Sequence, residues 1–167
     1  IDPARTPALF AIADIHRANK SNEELVQTLH RIIDVGAATL EDYVIEGVYM
    51  ELGSLYEREL QQPADAVDAY NHAVDVNPRN FAALDAMERI HSDQGDWEAK
   101  IAVKQRRVDG LDEPADKIAV LLDIAKSWAE DGEQRSKGVS ALNRVIELDP
   151  LHEEAFNKLE ELLRSSE

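Results

Sequence analysis

Apolar residues recur at helical spacing along almost the whole chain. Residues 40 to 60 show it most clearly: Leu40, Tyr43, Val44, Val48, Leu52, Leu55, Tyr56 and Leu60 fall three or four apart and make one apolar stripe. Gly and Pro lie between such stretches, and no stretch alternates as a half-buried strand does. The pattern predicts an all-α chain, with helices over 6–19, 22–36, 40–60, 63–76, 80–93, 96–111, 114–131, 134–148 and 152–165.

The predicted helices come in pairs. Pro3, Pro78 and Pro150 each end a helix and stand 75 and 72 residues apart, with four helices in each interval. The unit is therefore two helices in about half that length, which is solenoid spacing. The intervals also match internally: "DIHRANKSNEE" (Asp14 to Glu24) aligns with "RIHSDQGDWEA" (Arg89 to Ala99). A large residue near the start of each first helix recurs as Leu9, Tyr49, Leu84, Leu121 and Phe156. Seven positions after each come His16, Tyr56, His91, Trp128 and Leu163, so a bulky side chain faces the partner helix again two turns on.

Charge narrows the partners. The 167 residues carry 34 acidic and 18 basic side chains, a formal charge of -16, and that field repels phosphate backbones and anionic headgroups. Neither nucleic acid nor membrane insertion is expected, and no apolar run approaches the roughly 20 residues that span a bilayer. The chain has no cysteine, so a thiol nucleophile and a disulfide framework are both unavailable.

The titratable residues do not assemble into chemistry. None of the five histidines pairs at i, i+4 with another, no HExxH occurs, and "HEE" at His152 lacks a second ligand. His16 and His91 occupy the repeated bulky position and read as rings packed between helices with one nitrogen satisfied. Glu23-Glu24 and Glu153-Glu154 read as solvated faces. "DGLDEPAD" (Asp109 to Asp116) has too few correctly spaced oxygens for a calcium loop and reads as a helix exit, with Pro114 starting the next helix. The scattered glycines form no phosphate-cradling loop. No enzyme activity, metal or cofactor is expected.

The phased positions resemble the tetratricopeptide repeat (TPR) family. "YMELGSLYEREL" with "PADAVDAYNHAVDVNP" is similar to one full repeat, through Leu52-Gly53 and Tyr56 on the first helix and Ala66-Val67, Tyr70, Ala73-Val74 and Pro78 on the second. "LLDIAKSWAEDGE" with "GVSALNRVIELDP" is a second match, through Ala125, Trp128, Gly132, Gly138, Leu142 and Pro150. Gly53, Ala66, Ala125 and Gly138 fall where paired helices come closest. Glu88 and Glu160 depart from the pattern, as do Lys100, Lys104 and Arg107 in the sixth helix. "GDWE" (Gly95 to Glu98) is nonetheless a good turn and helix start, and Trp97 tests the sixth helix: a packed ring predicts a loss of roughly 3–5 kcal/mol on truncation to Ala, and no change would mean a loosely held helix. The alternation of repeat types also resembles the long TPR arrays of large bacterial proteins.

The resemblance implies a right-handed α-α superhelix of about four helix pairs plus a C-terminal helix. Residues 1–167 then form one repeat domain, with repeats at 4–37, 40–78, 79–112 and 114–150 and a last helix at 151–167. "IDP" at the start reads as the tail of an upstream repeat and "LLRSSE" as a cut unit, so the chain is expected to be a piece of a longer array. The first helix of each pair would line a concave groove, placing Phe10, Ala11 and Asp14, then Met50, Glu51 and Ser54, then Asp85, Ala86 and Arg89, then Leu122, Asp123 and Lys126 on the inner face. Arg17 and Arg58 follow one turn on.

The expected function is non-catalytic protein–protein interaction, with a peptide or partner helix held in that groove by ion pairs and by contacts at Phe10, Met50 and Leu122. The alternative is a structural spacer or assembly segment of a larger multi-repeat protein. Self-association through exposed end faces such as Leu159, Leu162 and Leu163 is a third expectation. A carboxylate clamp of Lys and Asn side chains is disfavoured, since Phe10, Asp14, Glu51, Ala82 and Ala86 stand at the positions concerned.

Overall fold

The computed structural model describes residues 5–129 and 135–164. Pro3 as a helix terminator, Gly132 as a turn and the final Ser165 to Glu167 lie outside them. The described residues form α1 (Arg5–Asn19), α2 (Asn22–Gly36), α3 (Asp42–Ser54), a π-helical turn (Leu55–Glu59), α4 (Pro63–Val76), α5 (Phe81–Gln94), α6 (Trp97–Gly110), α7 (Pro114–Ala129), α8 (Arg135–Leu148) and α9 (Glu153–Arg164). No strand occurs among them. The expected helices are present within about two residues at each described end, except that 40–60 divides into α3 and the π-helical turn.

Local chemistry sets these boundaries. Pro63 and Pro114 each occupy the first position of a helix, where a missing N–H costs nothing. Asn80 caps α5 by accepting from the Ala83 N–H at 2.9 Å, and Asp96 caps α6 by accepting from Ala99 at 3.0 Å. His152 caps α9, its Nδ1 accepting from the Ala155 N–H at 3.2 Å. That satisfies a free backbone donor and gives the ring of "HEE" a structural use.

The first helices of three pairs end in the same left-handed turn. Lys20 (φ 55°) and Gly95 (φ 71°) each follow a histidine by four residues, and the next N–H returns to that histidine's carbonyl, Ser21 to His16 at 3.0 Å and Asp96 to His91 at 2.9 Å. In the α3 segment the left-handed residue is Gln61 (φ 54°), five residues after Tyr56. This segment carries one more residue between its bulky marker and its turn, and the helix absorbs it by widening: Leu60 N–H donates to the Leu55 carbonyl at 3.0 Å and Gln62 N–H to the Tyr56 carbonyl at 2.8 Å. One extra residue in a helix is what a π-turn accommodates.

The chain divides into two compact units, residues 1–90 and 91–167. In the first, α1 packs on α2, α2 on α3 and α3 on α4. Its core joins Leu9 and Ala13 to Leu25, Leu29 and Ile32 of α2 and to Val48 and Leu52 of α3. In the second, α7 packs on α6 and α8, and α8 on α9. Its core gathers Ile101 and Val108 of α6 with Leu121, Ile124, Ala125 and Trp128 of α7, Leu142 and Val145 of α8, and Ala155 of α9. Helix α6 thus buries Ile101, Val103 and Val108 despite its lysines and arginines.

The small residues mark close approaches. A Cβ on Gly53 would stand 2.5 Å from the Tyr70 ring, and one on Gly138 would stand 3.3 Å from the Ala125 carbonyl. Ala66 and Ala125 are buried.

The packing of Trp97 is decided, and the placing of the bulky residues of α9 is corrected. Trp97 is 42% exposed, meeting Trp128 edge-on with ring centroids 5.1 Å apart, because it sits in the first turn of α6 where only one face meets α7. Leu159 and Leu162 are not an exposed face, since both pack against the second unit's core. Phe156 and Leu163 are the exposed ones, at 46% and 53%, because α9 meets the core through Ala155, Leu159 and Leu162.

Candidate functional site

Helix α3 presents Met50 and Ser54 on one face, and the π-helical turn carries that line on to Arg58. Opposite stand Ala82, Asp85, Ala86 and Arg89 of α5, with Tyr70 of α4 between the walls. These residues line a cleft of about 360 Å³ within the first unit. Met50, Ser54, Arg58, Asp85 and Arg89, all expected on the inner face, are thereby brought together.

The cleft is held by a polar chain. Tyr70 is buried, and its ring reaches past Gly53 because no Cβ stands in the way. The Tyr70 hydroxyl donates to Glu57 Oε2 at 3.0 Å, and Arg89 Nη1 donates to the other oxygen, Oε1. Only 11% of the Glu57 side chain is exposed. Burial, reinforced by the bond to Glu57, pushes the Tyr70 phenol up to about 12. Gln61 Nε2 closes the turn on the Arg58 carbonyl at 2.8 Å. The Arg58 guanidinium has no ion-pair partner among the described residues.

A second ion-pair set crosses from α1 to α3. Arg17 grips Glu51 with both Nε and Nη2, at 2.5 and 2.8 Å, and also reaches Asp14. The hydrogen bonds that Arg17 donates to Glu51 raise its guanidinium above its ordinary value. Asp14 and Glu51 are therefore both already paired with Arg17. Phe10 is half-buried against the first unit's core.

The remaining expected residues belong to the second unit. Leu122 is half-buried against that core, and Asp123 is taken by Lys104. Lys126 lines a separate cleft of about 300 Å³ with Ala125, Leu142, Lys158 and Leu162.

Glu57 and Tyr70 were not among the expected site residues. Tyr70 sits on a second helix, whose repeat positions read as core, and Glu57 lies in the π-helical turn, seven positions after Met50 and so on the same face. The sequence signal for both is the five-residue step from Tyr56 to Gln61 where the aligned helices show four. Among the described residues no cluster of His, Asp and Glu could hold a metal ion, and no helix is long and apolar enough to cross a membrane.

No family profile and no curated protein matches the chain. Solved structures do resemble it. A MamA protein superposes with TM-score 0.50 at 14% identity over 96% of this chain and 82% of that one. YrrB, a TPR protein described as having an unusual peptide-binding site, gives 0.47 at 17% identity over 93% and 75%. A thermophilic TPR protein of Thermus thermophilus gives 0.38 at 15% over 97% and 83%. The repeated helix pairs, their shared left-handed turns and the likeness to MamA make this an all-α protein with the TPR-like helical-repeat fold.

Proposed function

We propose that the chain is a non-catalytic protein-interaction module whose α3–α5 cleft receives a peptide segment of a partner protein. The observation that carries this reading is the cleft itself: side chains from α3, its π-helical turn and α5 meet around an open volume whose walls are pre-set by the Tyr70, Glu57 and Arg89 bonds. Side chains fixed before binding lose little entropy on binding, which favours recognition over mere exposure. A spacer is the second reading. It is favoured by the Arg17–Glu51 and Lys104–Asp123 pairs, which join neighbouring helices within each unit and leave those four charges already matched.

Site-specific photo-crosslinking separates the two. A photoreactive residue at Ser54, inside the cleft, is expected to capture a partner polypeptide from the source cell's lysate. The same residue at Asp68, exposed on α4, is expected to capture none. Equal capture at both positions, or none at either, overturns the groove and leaves the spacer.

A further inference from the structure

We infer that the peptide is anchored by a single Asp or Glu side chain on Arg58, with an apolar side chain about four residues away seated beside Met50 and Ala86. This rests on the reading of the cleft as a peptide groove and names what that groove selects.

The cation without an ion-pair partner among the described residues points to an anion. Glu57 is the most buried carboxylate there, and both its oxygens are taken, one by Tyr70 and one by Arg89. Glu51 and Asp14, further along the same face, are taken by Arg17. Arg58 lines the cleft without an ion-pair partner among the described residues. A guanidinium presented beside buried Tyr70 can meet a carboxylate with two parallel N–H donors, the strong form of this contact. A ligand ammonium would find Asp85 as the lining carboxylate and would face Arg58 and Arg89 together.

This cation lies in the π-turn. Residues 50, 54 and 58 share one face, and the turn between Leu55 and Glu59 holds Glu57 bonded to Tyr70 with Arg58 beside it on the cleft wall. Such turns recur at functional sites.

The geometry also sets a register. Met50 and Arg58 are eight positions apart, about 12 Å at a helical rise of about 1.5 Å per residue. An extended peptide covers that length in about four residues. The chain's charge of -16 disfavours a ligand with many phosphates or many acids, so one carboxylate in an otherwise neutral segment fits best. A C-terminal carboxylate shares the chemistry of an acidic side chain, but Ala82 and Ala86 supply no donors for a clamp around a chain end.

The test is a selection of random internal twelve-residue segments displayed on phage, panned on the wild-type chain and on Arg58→Glu. Recovered sequences are synthesised with amidated and free C-termini and titrated by fluorescence anisotropy. The expected consensus holds one Asp or Glu four residues from Leu, Met or Phe, and binds equally well amidated. Arg58→Gln is expected to weaken it tenfold or more, about 1.4 kcal/mol, and Arg58→Glu to select Lys or Arg at that position. Arg58 is exposed, so both variants should melt like the wild type.

A consensus lacking an acid, one unchanged by Arg58→Glu, or one that binds only with a free C-terminus overturns the side-chain anchor. The groove itself then stands if Ser54→Arg abolishes binding. No enriched sequence at all, or binding indifferent to both Arg58 and Ser54, overturns the anchor and the groove together.

Discussion

Glu57 shows how one residue links stability to the cleft. Its carboxylate accepts from Tyr70 and Arg89, so removing a partner leaves the other group short of a bond in a buried place. Tyr70 makes this measurable. Its folded pKa is raised from the ordinary value near 10 to about 12, so the neutral phenol is the form the fold favours. The corresponding stability is fully present below about pH 10 and is lost as pH rises through 12. Urea midpoints should fall over that window, and Tyr70→Phe should flatten the fall while costing about 1–2 kcal/mol at pH 8. An unchanged alkaline slope in the variant would mean that Tyr70 is not the group titrating. Trp97 behaves differently: half-exposed, and packed only edge-on to Trp128, it should cost about 1–2 kcal/mol on truncation to Ala, below the roughly 3–5 of a buried ring. Urea denaturation of that variant measures it directly.

At the scale of elements, the extra residue between Tyr56 and Gln61 is the decisive local feature. Deleting Glu59, an exposed residue, restores the four-residue step of α1 and α5. The expected result is a folded protein with a continuous α-helix, the Tyr70–Glu57 bond weakened, and the Tyr70 titration lowered from about 12 but held above its ordinary value by burial in a pH-dependent absorbance scan. A titration still near 12 would show that the turn does not position Glu57. The equivalence of the three turns is tested at Lys20, where a left-handed backbone suits glycine, as Gly95 shows; Lys20→Gly should stabilise by about 0.5–1 kcal/mol in thermal melts. Most elements were legible because apolar spacing, Pro63, Pro114 and "GDWE" are local signals, and local signals set helix ends. The meeting of Met50, Ser54 and Arg58 with Asp85 and Arg89 was legible through the repeat phase. The break in 40–60 was not, because a π-turn keeps the apolar spacing nearly intact and betrays itself only against the other repeats. Leu159 and Leu162 were misjudged for a related reason: periodicity says which side chains share a face, and the neighbouring helix decides whether that face is covered.

For the whole molecule, the excess of 34 acidic over 18 basic residues sets how every local interaction is felt. The exposed pairs, such as Arg164 with Glu160 and Lys158 with Glu154, each contribute little in water and weaken further with salt. Repulsion among the surplus carboxylates acts over longer distances, and salt screens that too, with a Debye length of about 10 Å at 0.1 M against about 30 Å at 0.01 M. The two effects have opposite signs, and the surplus outweighs the few exposed pairs. Thermal midpoints should therefore rise by a few degrees between about 10 and 300 mM sodium chloride; a fall would show that the ion pairs dominate instead. The same field governs encounter with a ligand anchored by a carboxylate. Arg58 holds it at contact, where screening is weak, while the net charge repels it on approach, where screening is strong. Association should thus speed up as salt is added while dissociation changes little, the reverse of the salt response expected where opposite charges steer two partners together. Stopped-flow anisotropy with the selected peptide reads both rates, and association slowed by salt would mean that the cleft, not the whole chain, sets the approach.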